Sequence, residues 1–225
     1  MRRARLGGLD TVIVGEGDGP AVVLLHGFGA PGEDLVPLAR MLDAPPGTRF
    51  VFPVGPIELG LPFSEARAWW MIDISRFERD VAEGRGATWT REVPPGLAPA
   101  REALIRLLDE LAAPRLVLGG FSQGAMLACD VALRDPRPLA GLALMSPTIV
   151  AEDEWASRFA SRRGLPAFVS HGVDDPLLPY AVARRLADLW KAAGAEVDFV
   201  RFRGGHDIPS AVLDGLGAFL MRTLA

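Results

Sequence analysis

The residues able to do chemistry are few, and they are strung out in a definite order. Ser122 stands in Gly120-Phe121-Ser122-Gln123-Gly124, a G-x-S-x-G pattern. The apolar run Leu116-Val117-Leu118 precedes it, and an amphipathic run from Gln123 to Arg134 follows, stopped by Asp135-Pro136. A serine raised on a tight strand-to-helix turn brings the backbone so close to neighbouring chain that only glycine fits two residues to either side. At the start of a helix, free N–H groups and the positive end of the dipole favour a developing oxyanion. The stretch reads as a nucleophile elbow. Glycine and serine are common, so the five residues alone also fit an ordinary connection with an idle serine.

A nucleophilic serine needs a base, and the base needs an acid to fix its tautomer and stabilise the imidazolium. On a strand-elbow-helix scaffold the chain order is serine, then acid, then histidine. The three histidines are His26, His171 and His206. Only His206 comes late enough, in Arg203-Gly204-Gly205-His206-Asp207, where two glycines let a loop carry the ring over the elbow. His26 and His171 each precede a glycine at a strand end and are expected to pack or hydrogen-bond behind the site. The acid belongs after the strand that ends at His171, where Asp174 and Asp175 both stand. Adjacent side chains diverge, so one can face the imidazole while the other caps a turn; the residues themselves leave the choice open. Two backbone N–H groups are needed for the oxyanion. Gln123, after the serine, offers one, and Phe28, in His26-Gly27-Phe28-Gly29, offers the other. Phe28, Trp69, Leu177 and Leu178 are candidate walls of a substrate pocket, though each also suits plain core.

These residues need elements to position them. Ala21–Leu25 is a continuous apolar run bounded by glycine and proline, the mark of a strand buried on both faces. Further strands are expected at Thr11–Val14 (an edge), Arg49–Phe52, Leu139–Met145, Ala167–His171 and Val197–Phe202. Helical spacing marks Glu33–Leu42, a run beginning near Pro99, Glu154–Arg163, Ala181–Ala193 and Ile208–Leu220. Strands alternating with helices predict an α/β fold with a mainly parallel sheet and helices on both faces. Residues 54–95, rich in Gly, Pro and Trp (Trp69, Trp70, Trp89), break the rhythm and suggest a cap or pocket wall, or else a packed surface excursion. Residues 1–225 otherwise read as a single domain without repeats or linkers.

Composition excludes several classes. A net charge of −4 argues against nucleic acid as the main partner. Leu6-Gly7-Gly8-Leu9-Asp10 stands where a secretion signal needs an apolar core, and no apolar run is long enough to span a bilayer. Cys129 is the only cysteine, so no internal disulfide can form; it reads as a small buried hydrophobe seven residues past Ser122. A cytoplasmic protein with no stable membrane insertion is expected. A homo-oligomer is allowed but not predicted.

With these pieces assembled, the chain resembles the bacterial carboxylesterase, acyl-protein thioesterase and lysophospholipase family of α/β-hydrolases. The resemblance is carried by Leu25-His26-Gly27-Phe28-Gly29, Arg67-Ala68-Trp69, Gly120-Phe121-Ser122-Gln123-Gly124, His171-Gly172-Val173-Asp174-Asp175-Pro176-Leu177-Leu178-Pro179 and Gly205-His206. It implies the α/β-hydrolase fold, and ester or thioester hydrolysis with no metal or organic cofactor. It selects Asp175 as the acid, since the family's acid directly precedes Pro-x-x-Pro, and it supports Phe28 and Gln123 as oxyanion donors. Three departures stand out: Ala30 where the family usually has Asp, Ala125 where it often has Gly, and Trp70-Met71-Ile72 in place of a shorter stretch.

The expected function is therefore a serine carboxylesterase working through an acyl-enzyme on a small ester or acyl substrate. An acyl-protein thioesterase or lysophospholipase would use the same triad. A non-catalytic binding module on the same fold is the reading from another class, opposed by a triad complete in residue type and order.

Overall fold

The computed structural model describes residues 1–60, 65–83 and 90–225. The chain opens with a strand that no apolar pattern marked, β1 (Arg2–Leu6), which Gly7-Gly8 turns onto β2 (Leu9–Val14). Both glycines have positive φ, 58° and 85°, as a two-residue hairpin turn of this hand requires. β1 is the sheet edge, and its exposed Arg2, Arg3 and Arg5 suit that place. The edge expected at Thr11–Val14 is thus one strand further in.

β3 (Ala21–Leu25) is buried along its whole length. The helix expected over Glu33–Leu42 shrinks to α1 (Leu38–Met41). Pro37 has no N–H to bond back by four residues, so the preceding stretch closes tighter turns, such as Leu38 N–H to Leu35 O at 3.0 Å. Leu35, Leu38 and Leu42 are buried all the same. After β4 (Arg49–Pro53), the stretch expected to be irregular holds the short pair β5 (Ile57–Glu58) and β6 (Arg67–Ala68), then α2 (Ile74–Ala82). The Asp73 carboxylate accepts the Arg76 N–H at 2.9 Å and starts α2. Trp89 lies outside the described residues.

Regular alternation then runs through α3 (Leu97–Leu111), β7 (Leu116–Phe121), α4 (Gln123–Arg134) and β8 (Gly141–Met145). The helix expected at Glu154–Arg163 is replaced by α5 (Glu152–Ala156) and one tighter 3-10 turn (Phe159–Arg162). β9 (Pro166–Gly172), α6 (Tyr180–Ala192), β10 (Glu196–Phe202) and α7 (Ser210–Leu224) complete the chain.

Among the described residues eight strands form one sheet in the order β1-β2-β4-β3-β7-β8-β9-β10. β1, β2 and β4 pair antiparallel, and every pair from β4 onward is parallel. Side chains alternate between two cores, one under α3, α4 and α6, the other under α1 and α7. β3 shows the split: Ala21, Val23 and Leu25 join the first core, Val22 and Leu24 the second. Pattern reading passed over one anchor of α4. Asp130, wholly buried, accepts hydrogen bonds from Arg101 Nη1, Arg134 Nε and Trp155 Nε1, each at 2.8 Å. A buried carboxylate held by two guanidinium groups and an indole fixes the axis of the helix that begins beside Ser122.

Candidate active site

Ser122 sits between β7 and α4 with φ 55° and ψ −119°, a conformation L-residues seldom adopt and which costs on the order of 1–3 kcal/mol. Its N–H donates to Met145 O at 2.9 Å and its carbonyl accepts the Met126 N–H at 3.1 Å, so the ends of β8 and α4 hold the strained turn. The flanking glycines are required by close approach. A Cβ on Gly124 would lie 2.1 Å from Leu25 O, and one on Gly120 would lie 2.5 Å from the Gly124 carbonyl carbon. The elbow therefore crosses the end of β3 at a distance only glycine permits.

Asp175 and His206 meet 31 residues apart in sequence: Asp175 Oδ2 accepts the His206 Nδ1–H at 2.6 Å. With the proton on Nδ1, the His206 Nε2 lone pair is left bare. The other carboxylate oxygen accepts the Leu177 and Leu178 N–H groups at 2.8 and 3.0 Å, and His171 Nε2 stands 3.2 Å from Oδ2. Burial pushes the Asp175 carboxyl up, but hydrogen bonds from His171, His206 and Leu178 outweigh it and hold the group well below the usual carboxylate range. Asp174 turns the other way and accepts the Gly204 N–H at 3.3 Å. The neighbouring aspartates thus divide as adjacent side chains should, and the imidazole is on Asp175. The histidine loop comes this close because Gly172 has no side chain: a Cβ there would lie 2.2 Å from Gly205 O.

Phe121 packs its ring 4.7 Å from that of His206, which sets the imidazole beside the elbow. Ser122 and His206 line one cavity of about 1050 Å³. The Ser122 hydroxyl makes no hydrogen bond among the described residues; such bonds are commonly long before substrate arrives and tighten in the complex. Phe28 and Gln123 line the same cavity, and among the described residues neither backbone N–H has a partner. Two free N–H groups beside a serine are what an oxyanion needs.

The loop carrying Phe28 is held from behind. His26 Nε2 accepts the Gly55 N–H at 2.8 Å, so its Nδ1 bears the proton and donates to Gly27 O at 2.7 Å. Burial, opposed by that backbone hydrogen bond, pushes the His26 pKa down and keeps the ring neutral. Gly29 N–H donates to Arg67 O at 2.9 Å and Arg67 N–H to Ala30 O at 2.8 Å. These are backbone bonds, so the loop is anchored whatever side chain stands at position 30. Ala125, the second departure, is fully buried in α4.

Of the four pocket candidates, Phe28, Leu177 and Leu178 line the cavity and Trp69 does not. Trp69 is core, its Nε1–H donating to His26 O at 2.9 Å, and Trp70 takes the place in the wall. The indole N–H needed a buried acceptor, which His26 supplies, and that turns the ring inward. Phe77, Met126 and Val150 add apolar wall. The Gln123 side chain, wholly buried, accepts the Trp69 N–H and donates to Trp70 O, both at 2.9 Å. Nothing in the sequence marks this, since both partners are backbone groups more than fifty residues away.

Comparison with known proteins bears on family and fold. The phospholipase/carboxylesterase family model matches residues 11–224. Acyl-protein thioesterase 1 of Mycosarcoma maydis is 28% identical over 220 residues, covering 89% of each chain. Acyl-protein thioesterase 1 of Eremothecium gossypii is 28% identical over 219 residues, covering 91% of this chain and 88% of the other. The crystal structure of esterase PE8 superposes with TM-score 0.78 at 27% identity, covering 96% of this chain and 99% of that one. The Bacillus cereus carboxylesterase, at 20% identity and TM-score 0.66 over 96% and 94%, shares the fold.

Proposed function

The chain belongs to the phospholipase/carboxylesterase family of hydrolases, and we propose that within it this protein is a serine carboxylesterase. One observation carries the reading: Asp175 holds the proton-bearing Nδ1 of His206, so a bare Nε2 is available in a cavity that Ser122 shares. In this reading Ser122 Oγ attacks the ester carbonyl while His206 Nε2 takes its proton. Asp175 stabilises the imidazolium, and the Phe28 and Gln123 N–H groups receive the oxyanion. His206 returns the proton to the leaving alcohol. Water, deprotonated by the same nitrogen, then attacks the acyl-enzyme carbonyl; the carboxylic acid departs and Ser122 regains its proton. The apolar wall from Phe28, Trp70, Phe77 and Met126 suits an acyl chain.

A thioesterase acting on acylated proteins is the second reading, favoured by the curated relatives of that name. A cytoplasmic location is part of the proposal, and the buried, unpaired Cys129 is compatible with a reducing compartment. Turnover of a p-nitrophenyl ester, an acyl thioester and a lysophospholipid by the purified protein separates them. A carboxylesterase shows the highest kcat/KM on the simple ester, and Ser122→Ala removes that activity. Preference for the thioester moves the assignment to the second reading, and turnover undiminished in Ser122→Ala rejects both.

A further inference from the structure

His171 ends β9 with its ring wholly buried. Its Nε2 lies 2.9 Å from Leu178 O and 3.2 Å from Asp175 Oδ2. Both neighbours are acceptors, so Nε2 must carry the proton, with Leu178 O the nearer acceptor and Asp175 Oδ2 within reach. The carboxylate oxygen it reaches is the one that takes the His206 Nδ1–H. Two imidazoles thus meet on a single oxygen, while two backbone N–H groups fill the other. The opposite ring nitrogen, His171 Nδ1, is buried with no hydrogen-bond partner among the described residues. Leaving a polar atom bare is unfavourable, and a ring placed only to fill space would not require it. The side chain is set by what Nε2 does.

We propose that His171 is a positioning residue for the proposed hydrolysis, donating from Nε2 to Asp175 Oδ2 so that the carboxylate holds His206 in one orientation without over-stabilising its imidazolium. The physics is a division of charge. With both donors present, the electron density on Oδ2 is shared between two N–H groups. With His171 removed, that density turns wholly to His206, the carboxylate gains freedom to rotate, and the imidazolium becomes easier to form. A base protonated at higher pH is a poorer base at neutrality.

Among the described residues, the charged and titratable groups around His206 are few. Asp175 and, through it, His171 face the ring; Asp174 is engaged with Gly204 N–H; Arg203 and Asp207 on its own loop are exposed. Across the cavity stand Ser122 and the carboxylate of Asp34, with Asp73, Arg76, Glu78 and Glu92 further along its wall. His171 is the one among these that touches the acid of the triad.

The test compares His171→Asn, whose amide sits at the Nδ1 position and falls short of Asp175, with His171→Gln, whose amide reaches the Nε2 position. In His171→Asn the acid limb of the kcat/KM profile moves to higher pH by roughly half a unit to one unit, the value of a shared donor to a charged group. kcat at neutral pH falls several-fold while KM holds, and His171→Gln restores both. The same shift is read without turnover from the NMR titration of His206, one of only three histidines. In the wild-type protein the His171 ring shows the Nε2–H tautomer, and its N–H resonance moves as His206 titrates. An acid limb and a His206 titration unmoved in His171→Asn, or no rescue by Gln, would overturn the proposal. So would an Nδ1–H tautomer at His171, a wild-type measurement that stands even if a variant fails to fold. This inference rests on the carboxylesterase reading, yet absence of ester turnover in the wild type would reject that reading alone, because the NMR measurements do not depend on it.

Discussion

Gln123 Oε1 accepts the Trp69 N–H at 2.9 Å, so the residue proposed to offer an oxyanion donor through its backbone grips the cavity wall through its side chain. The amide Nε2–H closes the clamp on Trp70 O. Gln123→Ala leaves a buried N–H and a buried carbonyl without partners, a loss of about 2–3 kcal/mol in folding free energy. Urea unfolding measures it. A midpoint equal to wild type would mean the clamp holds nothing.

Asp175 and Asp174 are adjacent in sequence and turn to different partners, His206 and the Gly204 N–H. Asp175→Asn favours the wrong tautomer of His206 and, in the proposed mechanism, is expected to lower kcat by about 10³–10⁴, as loss of the acid does in Ser-His-Asp enzymes. Asp174→Asn disturbs one hydrogen bond to Gly204 and leaves kcat within a few-fold. Steady-state hydrolysis of one ester by both variants gives the ranking, and the reverse order would move the acid.

Acid stability follows from the same carboxylate. Asp175 is a stronger acid folded than unfolded, despite burial, because His171, His206 and Leu178 donate to it. Its stabilisation is present in full above the unfolded pKa near 4 and is lost as pH falls through the depressed folded value. The stability gap between wild type and Asp175→Asn therefore narrows as pH is lowered below about 4. Urea midpoints across that range test the sign; a gap that widens on acidification contradicts it.

The elbow glycines are steric requirements. Gly124→Ala would press a methyl into Leu25 O, a contact that must shift β3 or the helix, and a loss of about 3 kcal/mol or more is expected. Ala125→Gly, one residue on, meets no such wall and costs about 1 kcal/mol of helix stability while activity persists. Thermal unfolding of the pair discriminates steric need from a general taste for glycine.

Much of this was legible in the chain, and the gaps have physical causes. Strands buried on both faces announce themselves as unbroken apolar runs, so β3, β7, β8 and β9 were found with small errors at their ends. β1 was missed because an edge strand can be mostly arginine. The short α1 was overestimated because apolar spacing survives in turns that Pro37 keeps from becoming an α-helix. At the site, residue type and order point to an aspartate after β9 as the partner of His206, and family likeness alone chooses Asp175 over Asp174. What the sequence could not show is which partner a buried polar side chain finds. Gln123, Asp130 and the inward turn of Trp69 are set by groups 25 or more residues away in the chain.

In the proposed mechanism Ser122 Oγ is the nucleophile and His206 its base. Intact-mass and peptide mapping after treatment with a fluorophosphonate measure this most directly. One adduct per chain is expected, on Ser122, absent in Ser122→Ala and slowed by about 10² or more in His206→Ala. An adduct on another residue, or labelling at the wild-type rate without His206, would contradict it.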